Sequence, residues 1–189
     1  LFKIPSFEII DLELLECIAK FGKPIILSTG ASTFEEIDNA ISTITKFNPK
    51  LALMACTLSY PTDYEDANLM RIKTLKKRYP EIMIGISDHT PPEENMAIPA
   101  FSVGLGARII EKHYTLSQKL TGSGHFFSLE PKDLKKMVTN VRLFEKVIGD
   151  GFQGLSPSEV KATESGRKSI VASRKIMMNQ VISRNDLAF

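Results

Sequence analysis

Two of the three histidines in this chain are placed where they could act together. Met83-Ile84-Gly85-Ile86-Ser87-Asp88-His89-Thr90 and Ala107-Arg108-Ile109-Ile110-Glu111-Lys112-His113-Tyr114-Thr115 are short apolar runs that turn polar at their C-terminal ends. A helix-length segment separates them, so they read as a strand-helix-strand unit with one histidine at the end of each strand. In parallel α/β folds that end is where ligands bind. Successive strand residues face opposite sides. Met83, Gly85, Ser87 and His89 therefore share one face, and Ile84 and Ile86 the other. On the second strand Ile109, Glu111 and His113 point one way, and Ile110, Lys112 and Tyr114 the other. If Ile84, Ile86 and Ile110 pack under helices, then Ser87, His89, Glu111 and His113 converge on one enclosed space. Neighbouring strands lie about 4.8 Å apart, close enough for two imidazoles to share a metal ion. The alternative is that each histidine merely caps its strand through a hydrogen bond. Two at equivalent ends, beside a carboxylate that is costly to enclose unpaired, favour a site.

Those side chains need a scaffold, and the rest of the chain reads as one. Phe2 to Ser6 is a strand that breaks at Ser6-Phe7-Glu8; a helix follows with Asp11 as N-cap and Leu12, Leu15, Ile18 and Ala19 buried, stopping at Gly22. Pro24 to Gly30 is a second strand. Ser32-x-x-Glu35 reads as a capping box for a helix with Ile37, Ala40, Ile41 and Ile44 on its apolar stripe. Leu51 to Thr57 is a third strand, Asn68 to Arg78 a helix, Met83 to Ser87 a fourth strand and Ala107 to Lys112 a fifth. Pro99 predicts a kink or a late start in the helix between the last two. A loop of small residues at Thr121–Phe127 leads into a long amphipathic helix with Pro131 in its first turn. Five β-α units are too few for the eight of a closed (β/α)₈ barrel. The sequence therefore describes either an open doubly wound sheet or the C-terminal portion of a TIM barrel, over residues 1–150. Residues 151–165 read as a linker and short helix, and 166–189 as a β-rich start of a second domain, too short for a core of its own.

Bulk properties exclude several classes of function. A net charge of +2 with scattered lysines and arginines argues against nucleic acid as a partner and against a charged membrane surface. Cys17 and Cys56 do not make a secreted disulfide framework, and no apolar run approaches the ~20 residues of a membrane span. The reading is a cytoplasmic protein. Leu1 opens the chain without methionine and inside a strand-like run, so a natural N-terminal part is expected to precede it.

Six motifs then fall in the order and spacing of one family: Lys3-Ile4-Pro5-Ser6, Leu27-Ser28-Thr29-Gly30, Cys56-Thr57-x-x-Tyr60-Pro61, Ser87-Asp88-His89-Thr90, Glu111-Lys112-His113-Tyr114-Thr115 and Ser128-Leu129-Glu130-Pro131. The sequence resembles the N-acetylneuraminate (sialic acid) synthases, which include the legionaminic and pseudaminic acid synthases. Arg167-Lys168-Ser169-Ile170-Val171-Ala172 resembles the start of that family's small C-terminal antifreeze-like (SAF) domain. The resemblance implies condensation of phosphoenolpyruvate with an N-acylated hexose, such as N-acetylmannosamine, to a nine-carbon 2-keto sugar acid with release of phosphate. It implies a divalent cation held by His89 and His113, usually Mn2+ with Mg2+ or Co2+ as alternatives, and acidic roles for Glu8 and Glu111. It further implies substrate contacts from Lys3, Ser6, Ser28, Tyr60 and Ser87, and a homodimer in the full-length protein. Taken singly, Lys3 reads as a solvated lysine, Ser28 and Ser87 as strand-end hydroxyls, Tyr60 as a packing aromatic and Glu8 as a helix-capping carboxylate.

The sequence departs from the family at Phe7, commonly glycine, at Leu58, commonly polar, and at Gly124, commonly aspartate. The barrel's first three strands, which carry a further active-site lysine and glutamate in the family, are missing, so the chain alone is expected to be inactive. A second reading is a homologue that binds phosphate or a sugar acid but has lost catalysis. A third is an aldolase with a Schiff-base lysine, for which only Lys112 is placed at a strand end, and parity turns it to the helix-facing side.

Overall fold

Strands and helices alternate strictly through the first 147 residues in a computed structural model that describes the whole chain, Leu1–Phe189. The strands are β1 (Phe2–Ile4), β2 (Ile25–Ser28), β3 (Leu51–Cys56), β4 (Met83–Asp88) and β5 (Ile110–Lys112). They are followed in turn by α1 (Leu12–Lys20), α2 (Phe34–Thr45), α3 (Arg71–Arg78), α4 (Ile98–Gly104) and α5 (Pro131–Val147). All five strands pair in parallel and in chain order. A doubly wound sheet reverses its order at a switch point; this one does not.

Burial confirms the single winding. One strand parity, Ile4, Ile25, Leu27, Leu51, Leu53, Ala55, Ile84 and Ile86, is buried with Leu15 and Ala19 of α1, Ile37, Ala40 and Ile44 of α2, and Ile72 and Leu75 of α3. The helices thus cover one face of the sheet, and the opposite parity lines the concave side. The curl is measured by Lys3 on β1 and Glu111 on β5, whose charged atoms lie 3.3 Å apart. In a flat sheet the two edge strands would be separated by four spacings of about 4.8 Å, roughly 19 Å. The architecture is an α/β half-barrel.

Local chemistry explains the element ends, with small departures from the sequence pattern. Asp11 caps α1 through the Leu14 N–H. The capping box of α2 is Thr33 with Glu36, one residue later than Ser32 and Glu35; the Ser32 hydroxyl turns back to the Gly30 carbonyl instead. α3 starts at Arg71 rather than Asn68, because Asn68 adopts a left-handed φ of 41° that helix cannot continue through. Pro99 stands in the first turn of α4, which begins late as expected. Gly85 is required where it stands: a Cβ there would lie 2.5 Å from Met54 Sδ and 2.7 Å from the Ile109 carbonyl. No helix is long and apolar enough to cross a membrane.

Leu1–Gly149 and Asp150–Phe189 form two compact units. The second holds α6 (Val160–Gly166) and an antiparallel pair, β6 (Val171–Ala172) with β7 (Leu187–Ala188). Its one buried residue is Asp186.

Candidate functional site

The condition set by parity is met. Ile84 and Ile86 are in the core under the helices and Ile110 packs against it, so Ser87, His89, Glu111 and His113 turn to the concave face. Register puts Ser87 directly opposite Glu111, and the Ser87 hydroxyl donates to Glu111 Oε1 at 2.7 Å. Lys3 reaches the same oxygen from β1. Glu111 is therefore neutralised by a cation and a hydrogen bond while remaining 40% exposed.

The two imidazoles lie with ring centroids 5.3 Å apart and nearly perpendicular. His89 is buried, and its Nδ1 donates to the Thr57 carbonyl at 2.9 Å. That bond selects the tautomer and leaves the Nε2 lone pair free. Ser87 Oγ lies 3.4 Å from Nε2, but its proton is committed to Glu111. His113 is open to solvent, and neither ring nitrogen has a hydrogen-bond partner. Its backbone is held by Leu129, whose N–H donates to the His113 carbonyl at 2.9 Å. Burial pushes the His89 imidazole below its usual range, with the bond to Thr57 opposing. Burial lowers His113 as well, against the pull of Glu111. Both shifts favour the neutral imidazole, the form that can ligate. A histidine that gives its second ring proton to a backbone carbonyl is oriented as metal-binding histidines are.

These residues fit a divalent cation in part. They supply two nitrogen donors and a nearby carboxylate, and no cluster of three or more His, Cys, Asp or Glu converges on one point. Further ligands would be oxygens of substrate or water, the mixture that first-row ions accept.

The other residues singled out in the sequence are distributed around this pair. Tyr60 stacks on His89 at 4.2 Å between centroids and meets the edge of His113 at 5.6 Å. Phe127 closes the far side of His113 at 5.0 Å. Ser6 is buried and accepts the Gly30 N–H at 2.9 Å, a contact that needs glycine, since a Cβ there would meet Ser6 Oγ at 2.8 Å and Cys56 Sγ at 3.0 Å. Ser28, 2% exposed, carries the chain's one buried side-chain oxygen without a partner. Such a group costs about 1–3 kcal/mol unless something binds it. Glu8 sits half-buried in the 3₁₀ turn after β1, and its carboxylate makes no hydrogen bond or ion pair. Lys112 faces away from the concave side in an ion pair with Asp88, which removes it from Schiff-base chemistry here.

A main-chain group, one arginine and one pairing contribute in ways the sequence does not show. The Thr57 carbonyl orients His89, but main-chain groups leave no mark on residue type. Arg71 holds the end of β3, donating to the Cys56 carbonyl at 2.7 Å and to Thr57 Oγ1 at 3.3 Å. Asp88 and Lys112 sit opposite each other only by virtue of the β4–β5 register.

Residues 1–153 match the NeuB family, and the chain belongs to it. It is 40% identical to the N,N'-diacetyllegionaminic acid synthase of Campylobacter jejuni over 99% of this chain and 56% of that protein. It is 37% identical to the N-acetylneuraminate-9-phosphate synthase of Mus musculus over 93% of this chain and 48% of that one. The solved N-acetylneuraminic acid (sialic acid) synthetase of Leptospira borgpetersenii, a complex with citrate, superposes with a TM-score of 0.77 at 41% identity. That match covers 86% of this chain and 56% of the solved one. The chain thus spans about half the length of the relatives it matches, a family of sugar-acid synthases.

Proposed function

We propose that the protein containing this chain condenses phosphoenolpyruvate with an N-acylated hexose, giving a nine-carbon 2-keto sugar acid and phosphate with one water consumed. The observation that carries the reading is the meeting of Lys3, Glu111, Ser87 and the two histidines on one concave face, although Lys3 comes from one edge strand, β1, and the others from β4 and β5 at the opposite side of the sheet. The same reading makes the half-barrel five units of a (β/α)₈ barrel, residues 151–165 a linker and short helix, 166–189 the start of an SAF domain, and the whole protein a homodimer.

Residue chemistry supports it. Phosphate and carboxylate oxygens need cationic and hydroxyl donors. Lys3 supplies the charge, and the buried, unpartnered Ser28 hydroxyl supplies a donor. His89 and His113 would hold the divalent ion, preferentially Mn2+, and the chemistry it would supply there is Lewis acidity toward the oxygen of the open-chain aldehyde. Glu111, held by Lys3 and by the hydroxyl of Ser87, presents a carboxylate beside the reacting carbons. Glu8 has a free carboxylate for the sugar side, and Tyr60 offers a half-exposed ring to the hexose.

One observation favours the alternative of a binding protein with impaired catalysis. A Cβ at Gly124 would lie in ordinary contact with His113 Nδ1 at 4.0 Å and the Phe127 ring at 3.9 Å, so glycine here leaves His113 without the carboxylate that the family commonly carries at this position. The two readings separate in one assay: the protein as its organism makes it, phosphoenolpyruvate, a panel of N-acyl hexoses and Mn2+, with the keto acid read by the thiobarbituric acid reaction. A synthase forms product, and His89→Ala or His113→Ala lowers kcat by ~10²-fold or more, the scale of removing one group that stabilises a developing oxyanion. Binding of phosphoenolpyruvate without product from any hexose selects the alternative.

A further inference from the structure

The concave face of β4 and β5 carries the site, and the opposite face of the same two strand tips carries an ion pair that the proposed reaction does not use. Asp88 and Lys112 are register partners whose side chains are only 2% and 5% exposed. Lys112 Nζ donates to Asp88 Oδ2 at 2.8 Å, to the Thr90 carbonyl at 2.5 Å and to Thr90 Oγ1 at 3.1 Å, which accounts for all three of its protons. Asp88 Oδ1 accepts the Thr90 N–H at 2.9 Å and the Thr90 hydroxyl at 2.8 Å. The tripeptide Asp88-His89-Thr90 is thereby closed at both ends and tied to β5. His89 follows Asp88 directly in the chain, and His113 follows Lys112.

Stability alone does not account for this arrangement. Desolvating two charges roughly cancels their attraction, and apolar residues of similar volume often serve a fold as well or better. What such a pair does supply is register, because its hydrogen bonds are directional and an apolar contact is not.

We propose that Asp88 and Lys112 are positioning residues that lock the tips of β4 and β5 against each other and so set the separation and ring orientation of His89 and His113. The inference rests on the reading of those histidines as the site. It extends that reading from the side chains that would touch a ligand to a pair on the far side of the sheet that never does.

The test uses the neutral double variant Asp88→Asn/Lys112→Met, which leaves no buried charge unpaired, in the protein as its organism makes it. Histidine ring nitrogens are followed by NMR without metal, and Mn2+ affinity is measured separately. In the wild type His89 shows one tautomer with a slowly exchanging Nδ1–H; in the double variant the tautomers mix and that proton exchanges at least tenfold faster. Mn2+ affinity falls about 10- to 100-fold, the usual effect of losing an outer-shell partner. A double variant with wild-type ring spectra and wild-type Mn2+ affinity overturns the proposal. Wild-type protein that binds no Mn2+ sinks the metal reading instead, and the ring spectra alone then decide the role of the pair. If the double variant does not fold, Thr90→Val removes one arm of the network without changing charge. It is expected to shift the same signals by less, and a folded Thr90→Val with unshifted signals also overturns the proposal.

Discussion

The two units of this chain are held together by different forces. Leu1–Gly149 is built on apolar burial: one parity of five strands and the stripes of three helices interlock around residues such as Leu53 and Ile72, which have no solvent exposure. Asp150–Phe189 has no such centre. Phe152, Met178 and Val181 are each more than three-quarters exposed. The tail is instead gathered by one carboxylate: Asp186 accepts from the Ser183 N–H at 2.8 Å and hydroxyl at 2.7 Å, and from Arg174 Nε at 2.6 Å. Apolar burial is insensitive to pH and non-directional. A polar hub is sensitive to both pH and geometry.

The contrast is sharpest in the core. Leu53→Ala removes a fully buried side chain from the central strand and is expected to cost about 2–5 kcal/mol in Leu1–Gly149. Denaturant unfolding checks it, and a loss under about 1 kcal/mol would mean that the unit is not organised around this layer.

Acid should loosen the tail at its polar hub. The Ser183 backbone bond, reinforced by the Ser183 hydroxyl and Arg174, holds the Asp186 carboxyl below its ordinary value. Its contribution is fully present above the unfolded-chain value near 3.8 and is lost as pH falls through the lower folded value. Amide protection of Ser173 and Ser183 should therefore vanish over that window. Asp186→Asn should weaken the same protection at neutral pH and abolish the acid transition; a transition that persists in Asp186→Asn would assign it to another group.

The smallest effect is expected at the tail's surface. Val181→Ser exchanges a side chain 88% exposed in the isolated chain and should change stability by less than about 0.5 kcal/mol. A larger loss would show that something covers Val181 in the whole protein.

Much of the site was legible before any coordinates, and the reason is local. Alternation along a strand needs only neighbouring residues, so Ser87, His89, Glu111 and His113 could be turned to one face while Ile84 and Ile86 were turned to the other. End signals were nearly as informative: Pro99 was placed correctly, whereas the α2 cap slipped by one residue because Ser32 and Thr33 are equally able to cap and only the backbone path chooses Thr33. The two fold alternatives left open by the sequence could not be separated by periodicity, since both windings use the same β-α units.

Residue order along the chain determined which side chains share a face, because a strand's two-residue repeat is a property of the backbone alone. Only the tertiary structure decided the rest: that the sheet curls until Lys3 meets Glu111, that Ser28 is left without a partner, and that Asp88 finds Lys112. Each of these depends on which residue of one strand lies beside which residue of another. That register is set by packing across tens of residues, and no local pattern encodes it.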